Sequence, residues 1–108
     1  MEKHAKVVVI GGGVVGCSIL FHLAKFGLKD CILLERNELT SGSSWHAAGS
    51  VHAISSDPNI SKLMAYTIKL YKEIEETSGH SVGFKPSGGF YLASNEVWHD
   101  YLKRERSK

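Results

Sequence analysis

The chain has 108 residues, of which 43% are hydrophobic and 22% are charged, a composition typical of an ordinary globular protein with at most one small domain. Its 13 basic and 11 acidic residues leave a formal net charge of +2, which does not favour a nucleic-acid partner. The sequence shows no membrane-spanning run and no signal or transit pattern, so we expect a cytoplasmic protein, or a mitochondrial one if a presequence was removed.

The N-terminal third predicts a βαβ unit. Residues 6–10 include the run VVVI, and an apolar run without polar alternation is typical of a parallel strand covered on both faces. Residues 14–26 carry an apolar stripe wide enough to pack on a sheet, and Gly27 is placed to end that helix. Residues 30–35, DCILLE, repeat the pattern of a buried strand and complete the unit.

A long loop is predicted next, over residues 36–56, which are rich in Ser, Gly and Ala. Loops of this length in compact domains are usually functional or disordered. Asp57 and Pro58 then mark the start of a helix, as an N-cap and a proline at the first helical position. Apolar residues repeat at helical spacing to about Ser78, where Gly79 can end the helix.

The C-terminal part predicts two short strands and a last helix. We expect the strands over residues 81–84 and 89–93, and the helix over residues 96–106 with Ser94 or Asn95 as its cap. Two strong strands and two weak ones are too few for a stable doubly wound sheet. The sequence therefore indicates an incomplete fold.

A glycine pattern, G-x-G-x-x-G, separates the first strand from the first helix. Gly11 permits a tight turn, Gly13 lets the backbone approach a pyrophosphate, and Gly16 lets the helix pack closely on the strand. The helix N-terminus offers free N–H groups and partial positive charge to phosphates. Glu35 ends the second strand, where a carboxylate can accept hydrogen bonds from both hydroxyls of an adenosine ribose. The pattern predicts a dinucleotide site that disfavours NADP and leaves NAD and FAD open; the alternative is a Gly-rich turn of an unrelated α/β protein.

The loop contains the stretch TSGSSWHAAG, in which a tryptophan and a histidine stand among small residues. The small residues allow close approach of the backbone to a ligand. Trp45 is suited either to pack against a bound ring or to fill the core behind the loop. A neutral imidazole at His46 can act as a nucleophile, although the residues alone favour a plain loop or packing histidine.

The run from Val7 to Gly49 resembles the start of the FAD-dependent amine oxidoreductases related to dimethylglycine and sarcosine dehydrogenase, within the D-amino-acid-oxidase-like class. The specific part is LLER followed by LTSGSSWHAAG, and the likeness continues more loosely through the long helix and the segment SGGFYLAS. The resemblance implies an α/β fold, the N-terminal part of a Rossmann-like FAD-binding domain. Residues 1–108 are then the N-terminal portion of a single such domain, without its remainder or the substrate domain.

The resemblance also implies roles for individual residues. His46 is the position at which the family joins its histidine covalently to the 8α carbon of FAD, and the backbone around Ser43 and Ser44 holds part of the dinucleotide. We nominate no catalytic acid or base, because in flavin amine oxidation the cofactor accepts the hydride. We nominate no metal ligand, because the histidines lack metal-ligand spacing. The predicted cofactor-binding residues are Gly11, Gly13, Val15, Gly16, Glu35, Arg36, Ser43, Ser44, His46, Ala48 and Gly49.

The implied function is oxidation of N-methylated amines or amino acids, of the dimethylglycine or sarcosine type, by hydride transfer to the flavin. The implied partner is a small-molecule amine, with neither nucleic acid nor membrane. A non-catalytic regulatory subunit with the same fold, similar to a phosphatase regulator, is one alternative, and a truncated inactive fragment is another. The Trp45–His46 pair favours an enzyme, because a regulator has no need of the attachment residue.

Overall fold

The computed structural model describes residues 4–107, which belong to two compact units divided after Gly49. The first unit contains β1 (Val7–Ile10), α1 (Val14–Lys25) and β2 (Cys31–Leu34). The second unit contains α2 (Pro58–Ser78) and α3 (Glu96–Arg106).

The first unit is a βαβ crossover. β1 and β2 pair in parallel, with Val7 opposite Cys31 and Ile10 opposite Leu34. The pairing continues past the strand end, where the N–H of Gly11 donates to the carbonyl of Leu34 at 2.8 Å. α1 packs against both strands. The βαβ unit predicted for the N-terminal third, with its α/β arrangement, is therefore confirmed.

The ends of the first two helices follow their capping residues. Gly27 has a left-handed φ of 87° and follows Phe26, the C-cap of α1, as predicted for a glycine that ends a helix. The Asp57 carboxylate accepts hydrogen bonds from the N–H groups of Asn59 and Ile60 at the start of α2. Gly79 ends α2 with a φ of 69° and donates its N–H to Glu75.

The third helix resolves one alternative left open by the sequence. The side-chain oxygen of Asn95 accepts a hydrogen bond from the N–H of Trp98 at 3.0 Å. Asn95, and not Ser94, is therefore the N-cap of α3.

The two strands predicted between α2 and α3, over residues 81–84 and 89–93, are wrong. Neither segment forms a strand, and β1 with β2 makes up the whole sheet of the described residues. A strand requires a hydrogen-bonded neighbour, and neither segment has one here. Gly83, with a φ of 73°, also interrupts the extended chain of the first segment.

The segment after α2 is instead held on that helix by side chains. One oxygen of the Glu75 carboxylate accepts hydrogen bonds from the Ser81 hydroxyl and the Val82 N–H, both at 2.9 Å. The rings of Tyr71 and Phe84 lie 6.0 Å apart, so Phe84 packs against α2. Residues 81–84, whose pattern predicted a strand, thus form a loop that packs against α2.

Little of the apolar surface is covered in the described part of the chain. Val9 in the first unit and Leu70 in the second are its buried hydrophobic side chains, with 7% and 9% of their surfaces exposed. Phe90 and Leu92 are 98% and 92% exposed. A complete domain buries many more side chains of this type.

No helix within residues 4–107 is long and apolar enough to cross a membrane.

Candidate functional site

A cleft lies in the first unit, where the carboxyl ends of β1 and β2 meet the start of α1. Open α/β sheets bind ligands at this edge. His46, Ala48 and Gly49 lie on the adjoining loop without lining the cleft. The predicted residues that line the cleft are Gly11, Gly13, Val15, Gly16, Glu35, Arg36, Ser43 and Ser44.

The glycine turn is as tight as the motif requires. Gly11 has a φ of 107°, a conformation that side chains rarely adopt. A Cβ atom on Gly16 would overlap the carbonyl oxygen of Gly11, so only glycine lets α1 start this close to β1. A Cβ atom on Gly13 would lie 3.2 Å from the Ser44 hydroxyl, so this face of the turn is narrow.

Gly12 is a further residue of the turn, which the G-x-G-x-x-G spacing leaves unspecified. It is buried, and a Cβ atom there would lie 2.6 Å from Leu39 Cδ2 and 3.0 Å from Glu35 Cβ. Its carbonyl accepts a hydrogen bond from the Thr40 N–H at 2.9 Å. The run GGG was the available signal, because it leaves no side chain at any of three successive positions.

Glu35 is held by two backbone N–H groups. Its Oε2 accepts from Gly12 at 2.6 Å, and its Oε1 accepts from Asn37 at 2.9 Å. The hydrogen bond from Gly12, followed by that from Asn37, lowers the pKa of the Glu35 carboxyl below its ordinary value of 4.5. The group is therefore an anion at neutral pH, with lone pairs left to accept hydrogen bonds from ligand hydroxyls.

The loop after β2 is fastened to the glycine turn and to α1. Besides the bond from Thr40 to Gly12, the Ser44 hydroxyl accepts a hydrogen bond from the N–H of Val14 at 2.8 Å. Val14 is the first residue of α1, so Ser44 satisfies one of the N–H groups that a helix start leaves without an intrahelical partner. The Ser44 side chain thus has a structural contact that the sequence, which pointed to its backbone, did not reveal.

His46 lies on a turn of this loop with its side chain exposed. Its Nδ1 is 3.2 Å from the carbonyl oxygen of Gly42. Since a carbonyl oxygen only accepts, this contact requires a proton on Nδ1 and leaves the lone pair of the neutral imidazole on Nε2. Trp45 is 77% exposed and does not fill a core behind the loop. Packing of Trp45 against a bound ring stays a prediction.

Comparisons with known proteins show which family the sequence matches. The family model of DAO-type FAD dependent oxidoreductases matches residues 6–108. The chain is 45% identical over 107 residues to the mitochondrial dimethylglycine dehydrogenase of Homo sapiens, an alignment that covers 99% of the chain. It is 44% identical over 105 residues to the mitochondrial sarcosine dehydrogenase of Homo sapiens, which covers 96% of the chain.

A relative with a different role is also similar. The chain is 35% identical over 108 residues to the mitochondrial pyruvate dehydrogenase phosphatase regulatory subunit of Mus musculus, an alignment that covers 100% of the chain. The alignments span 12%, 11% and 12% of the lengths of the dimethylglycine dehydrogenase, the sarcosine dehydrogenase and the regulatory subunit. The chain therefore corresponds to a small part of each relative.

Proposed function

We propose, because this chain belongs to the family of FAD-dependent oxidoreductases, that residues 1–108 are the N-terminal portion of the FAD-binding domain of a longer enzyme. The small share of each relative that the chain spans supports this proposal. So does the scarcity of buried apolar side chains among the described residues, since the elements seen here leave most of their apolar surface uncovered.

The cleft at the β1–α1 turn is suited to the ADP portion of FAD. The observation that carries the proposal is the junction of Gly12 and Glu35, which puts an ionised carboxylate beside a turn without side chains. The backbone of Gly13 and Val15, which line the cleft at the start of α1, would hold the pyrophosphate. The N–H groups of Gly11, Gly12 and Val14 already donate to Leu34, Glu35 and Ser44. Glu35 would accept hydrogen bonds from the ribose hydroxyls, and its charge would repel a 2′-phosphate.

The substrate that we propose is an N-methylated amine or amino acid of the dimethylglycine or sarcosine type. When bound, FAD supplies the acceptor for a hydride from the carbon beside the amine nitrogen. The chain's own residues bind and orient that acceptor, and the catalytic surface around the substrate belongs to the longer protein. The names of the dehydrogenase relatives support the substrate class.

Anaerobic titration of the purified full-length protein tests this function. Dimethylglycine or sarcosine should bleach the visible flavin absorbance, whereas glycine, which has no N-methyl carbon, serves as the matched control and should not. Bleaching by glycine alone would contradict the substrate class. A protein that neither binds FAD nor is bleached by either amine would contradict the enzymatic proposal.

We further propose that FAD is attached covalently through Nε2 of His46. The hydrogen bond of Nδ1 with the Gly42 carbonyl fixes the tautomer, and the exposed ring presents its other nitrogen as the nucleophile. Attachment would replace a C–H bond at the 8α carbon with a bond to Nε2, remove the proton from Nδ1 and leave the flavin reduced by two electrons. Dissolved dioxygen would take up those electrons and both protons as hydrogen peroxide. Acid precipitation of the full-length protein tests the attachment. Flavin should stay in the pellet for the wild type and for the control His52→Ala, and should be released from His46→Ala.

A regulatory subunit is the second candidate, and the 35% identity to the phosphatase regulatory subunit favours it. The titration separates the two candidates. An amine should bleach the flavin absorbance of the enzyme, whereas a regulatory subunit with the same fold should show no bleaching. The cytoplasmic location also stays a prediction, since the three relatives named here are described as mitochondrial proteins.

A further inference from the structure

Thr40 has an unusual backbone conformation. Its φ is 65°, and it is the one non-glycine residue with a positive φ among residues 4–107. The left-handed region is unfavourable for a residue with a branched Cβ, because the side chain approaches its own backbone carbonyl. Such conformations persist where surrounding contacts determine them, and they cluster at functional sites.

Two hydrogen bonds determine the conformation of Thr40. Its N–H donates to the carbonyl of Gly12 at 2.9 Å, and its carbonyl accepts from the N–H of Trp45 at 3.1 Å. The first bond ends in the glycine turn, and the second ends at the residue before His46. The two peptide groups of one residue therefore connect the turn to the histidine segment, and the chain must reverse at Thr40 for both bonds to form.

The neighbours of Thr40 strengthen this connection. Leu39 lies over Gly12, with its Cδ2 2.6 Å from the position that a Cβ atom on Gly12 would take. On the other side, the N–H of Trp45 also donates to the Gly42 carbonyl, at 3.2 Å, and that oxygen lies 3.2 Å from the His46 imidazole. The orientation of the His46 ring thus depends on a short chain of contacts that begins at Gly12 and passes through Thr40.

We propose that Thr40 is a positioning residue, which sets the place of His46 relative to the glycine turn and thereby controls the rate of covalent FAD attachment. This inference rests on the proposed function. The cofactor is anchored at the turn, so the approach of its reactive carbon to Nε2 is set by the loop that joins the two. Thr40 also lines the cleft, but it acts on His46 through its backbone. We therefore expect its replacement to change the reversible binding of FAD much less than the rate of attachment.

Two variants separate the backbone from the side chain. Thr40→Asn removes the branched Cβ and the hydroxyl but keeps a residue that tolerates the left-handed conformation. Thr40→Pro fixes φ near −65° and removes the N–H that reaches Gly12. We expect Thr40→Asn to attach FAD at the wild-type rate. We expect Thr40→Pro to attach it roughly a hundredfold more slowly, because a small misplacement of reacting groups slows a reaction by about that factor.

The assay uses full-length apoprotein from riboflavin-limited cells. FAD is added in air-saturated buffer, so that dioxygen can reoxidise the attached flavin. Samples are precipitated with acid over time, and flavin fluorescence in the pellet gives the rate of attachment. Reversible binding is measured by titration in the His46→Ala background, with and without Thr40→Pro. Equal Kd values in these two proteins, together with slow attachment in Thr40→Pro, support the proposal.

Other outcomes overturn it. Attachment at the wild-type rate in Thr40→Pro shows that the loop does not need this connection. A Kd that weakens as much as the attachment rate slows shows that Thr40 only supports the turn. Slow attachment in Thr40→Asn shows that the side chain, not the backbone, is what matters. A wild-type protein that never acquires acid-stable flavin refutes covalent attachment itself, and with it this inference. Failure of the role of Thr40 alone would leave the attachment in the wild type intact, so the two failures are distinguishable.

Discussion

Replacing Gly16 by alanine inserts a methyl group where α1 meets the glycine turn. Gly16 is buried, and the new Cβ would overlap the Gly11 carbonyl oxygen, lie 3.0 Å from the carbonyl carbon and lie 3.5 Å from Val9 Cγ1. Backbone atoms cannot rotate aside as a side chain can, so the helix start must move. Overpacking of this kind costs about 1–3 kcal/mol. Alanine in a helix otherwise gains about 1 kcal/mol over glycine.

The overlap is severe, so we expect the upper end of that range and a net loss of about 2 kcal/mol. Moving the start of α1 also displaces the N–H groups that would face the pyrophosphate, and each loss of about 1.4 kcal/mol in binding weakens the Kd tenfold. Thermal unfolding and FAD titration of the full-length protein measure both effects. Gly89→Ala is the matched control, because its Cβ would meet no atom within 4 Å and Gly89 does not line the cleft. A Gly16→Ala protein as stable and as tightly bound to FAD as this control would refute the reasoning.

Three further substitutions test separate contacts. Glu35→Gln replaces the anion that accepts from Gly12, so we expect weaker FAD binding by titration. The pKa of Glu35 is lowered in the folded protein, so its stabilising contribution is present above the ordinary value of 4.5 and is lost as the pH falls through the lowered pKa. Plotted against pH, the unfolding free energies of the wild type and Glu35→Gln should therefore converge in acid. A constant difference between the two proteins across this pH range would contradict the assigned role. Ser44→Ala should cost about 0.5–2 kcal/mol of stability, as the loss of a helix cap does, and Ser43→Ala should cost much less; equal effects on thermal unfolding would contradict the assigned hydrogen bond. Asp57→Ala should cost about 1 kcal/mol and speed amide exchange in the first turn of α2, whereas unchanged exchange would show that the cap is dispensable.

The elements that the sequence predicted well depend on signals within a few residues. Asp57 and Gly79 act on the helix that they flank, and Gly27 does the same for α1. β1 and β2 could also be predicted, because the two strands that pair are separated in sequence only by the crossover through α1. The segments over residues 81–84 and 89–93 failed because a strand depends on a neighbour that a local pattern cannot specify.

The candidate site divides in the same way. Gly11, Gly16 and Glu35 could be placed from spacing, because the turn, the helix start and the strand end follow one another along the chain. The contacts of Gly12 with Thr40 and of Val14 with Ser44 join residues about thirty positions apart, and nothing in the local sequence marks them. Those contacts fix the histidine loop on the glycine turn, and only the structure shows them.

Mass spectrometry of the peptide that contains His46 tests the proposed attachment most directly. The full-length protein is denatured in acid, digested with protease, and the flavin-bearing peptide is sequenced by fragmentation. We expect FAD, or its remnant after acid, on His46 and on no other residue. A His46 peptide without flavin, recovered from protein that was yellow before denaturation, would contradict the account, as would flavin bound to another side chain.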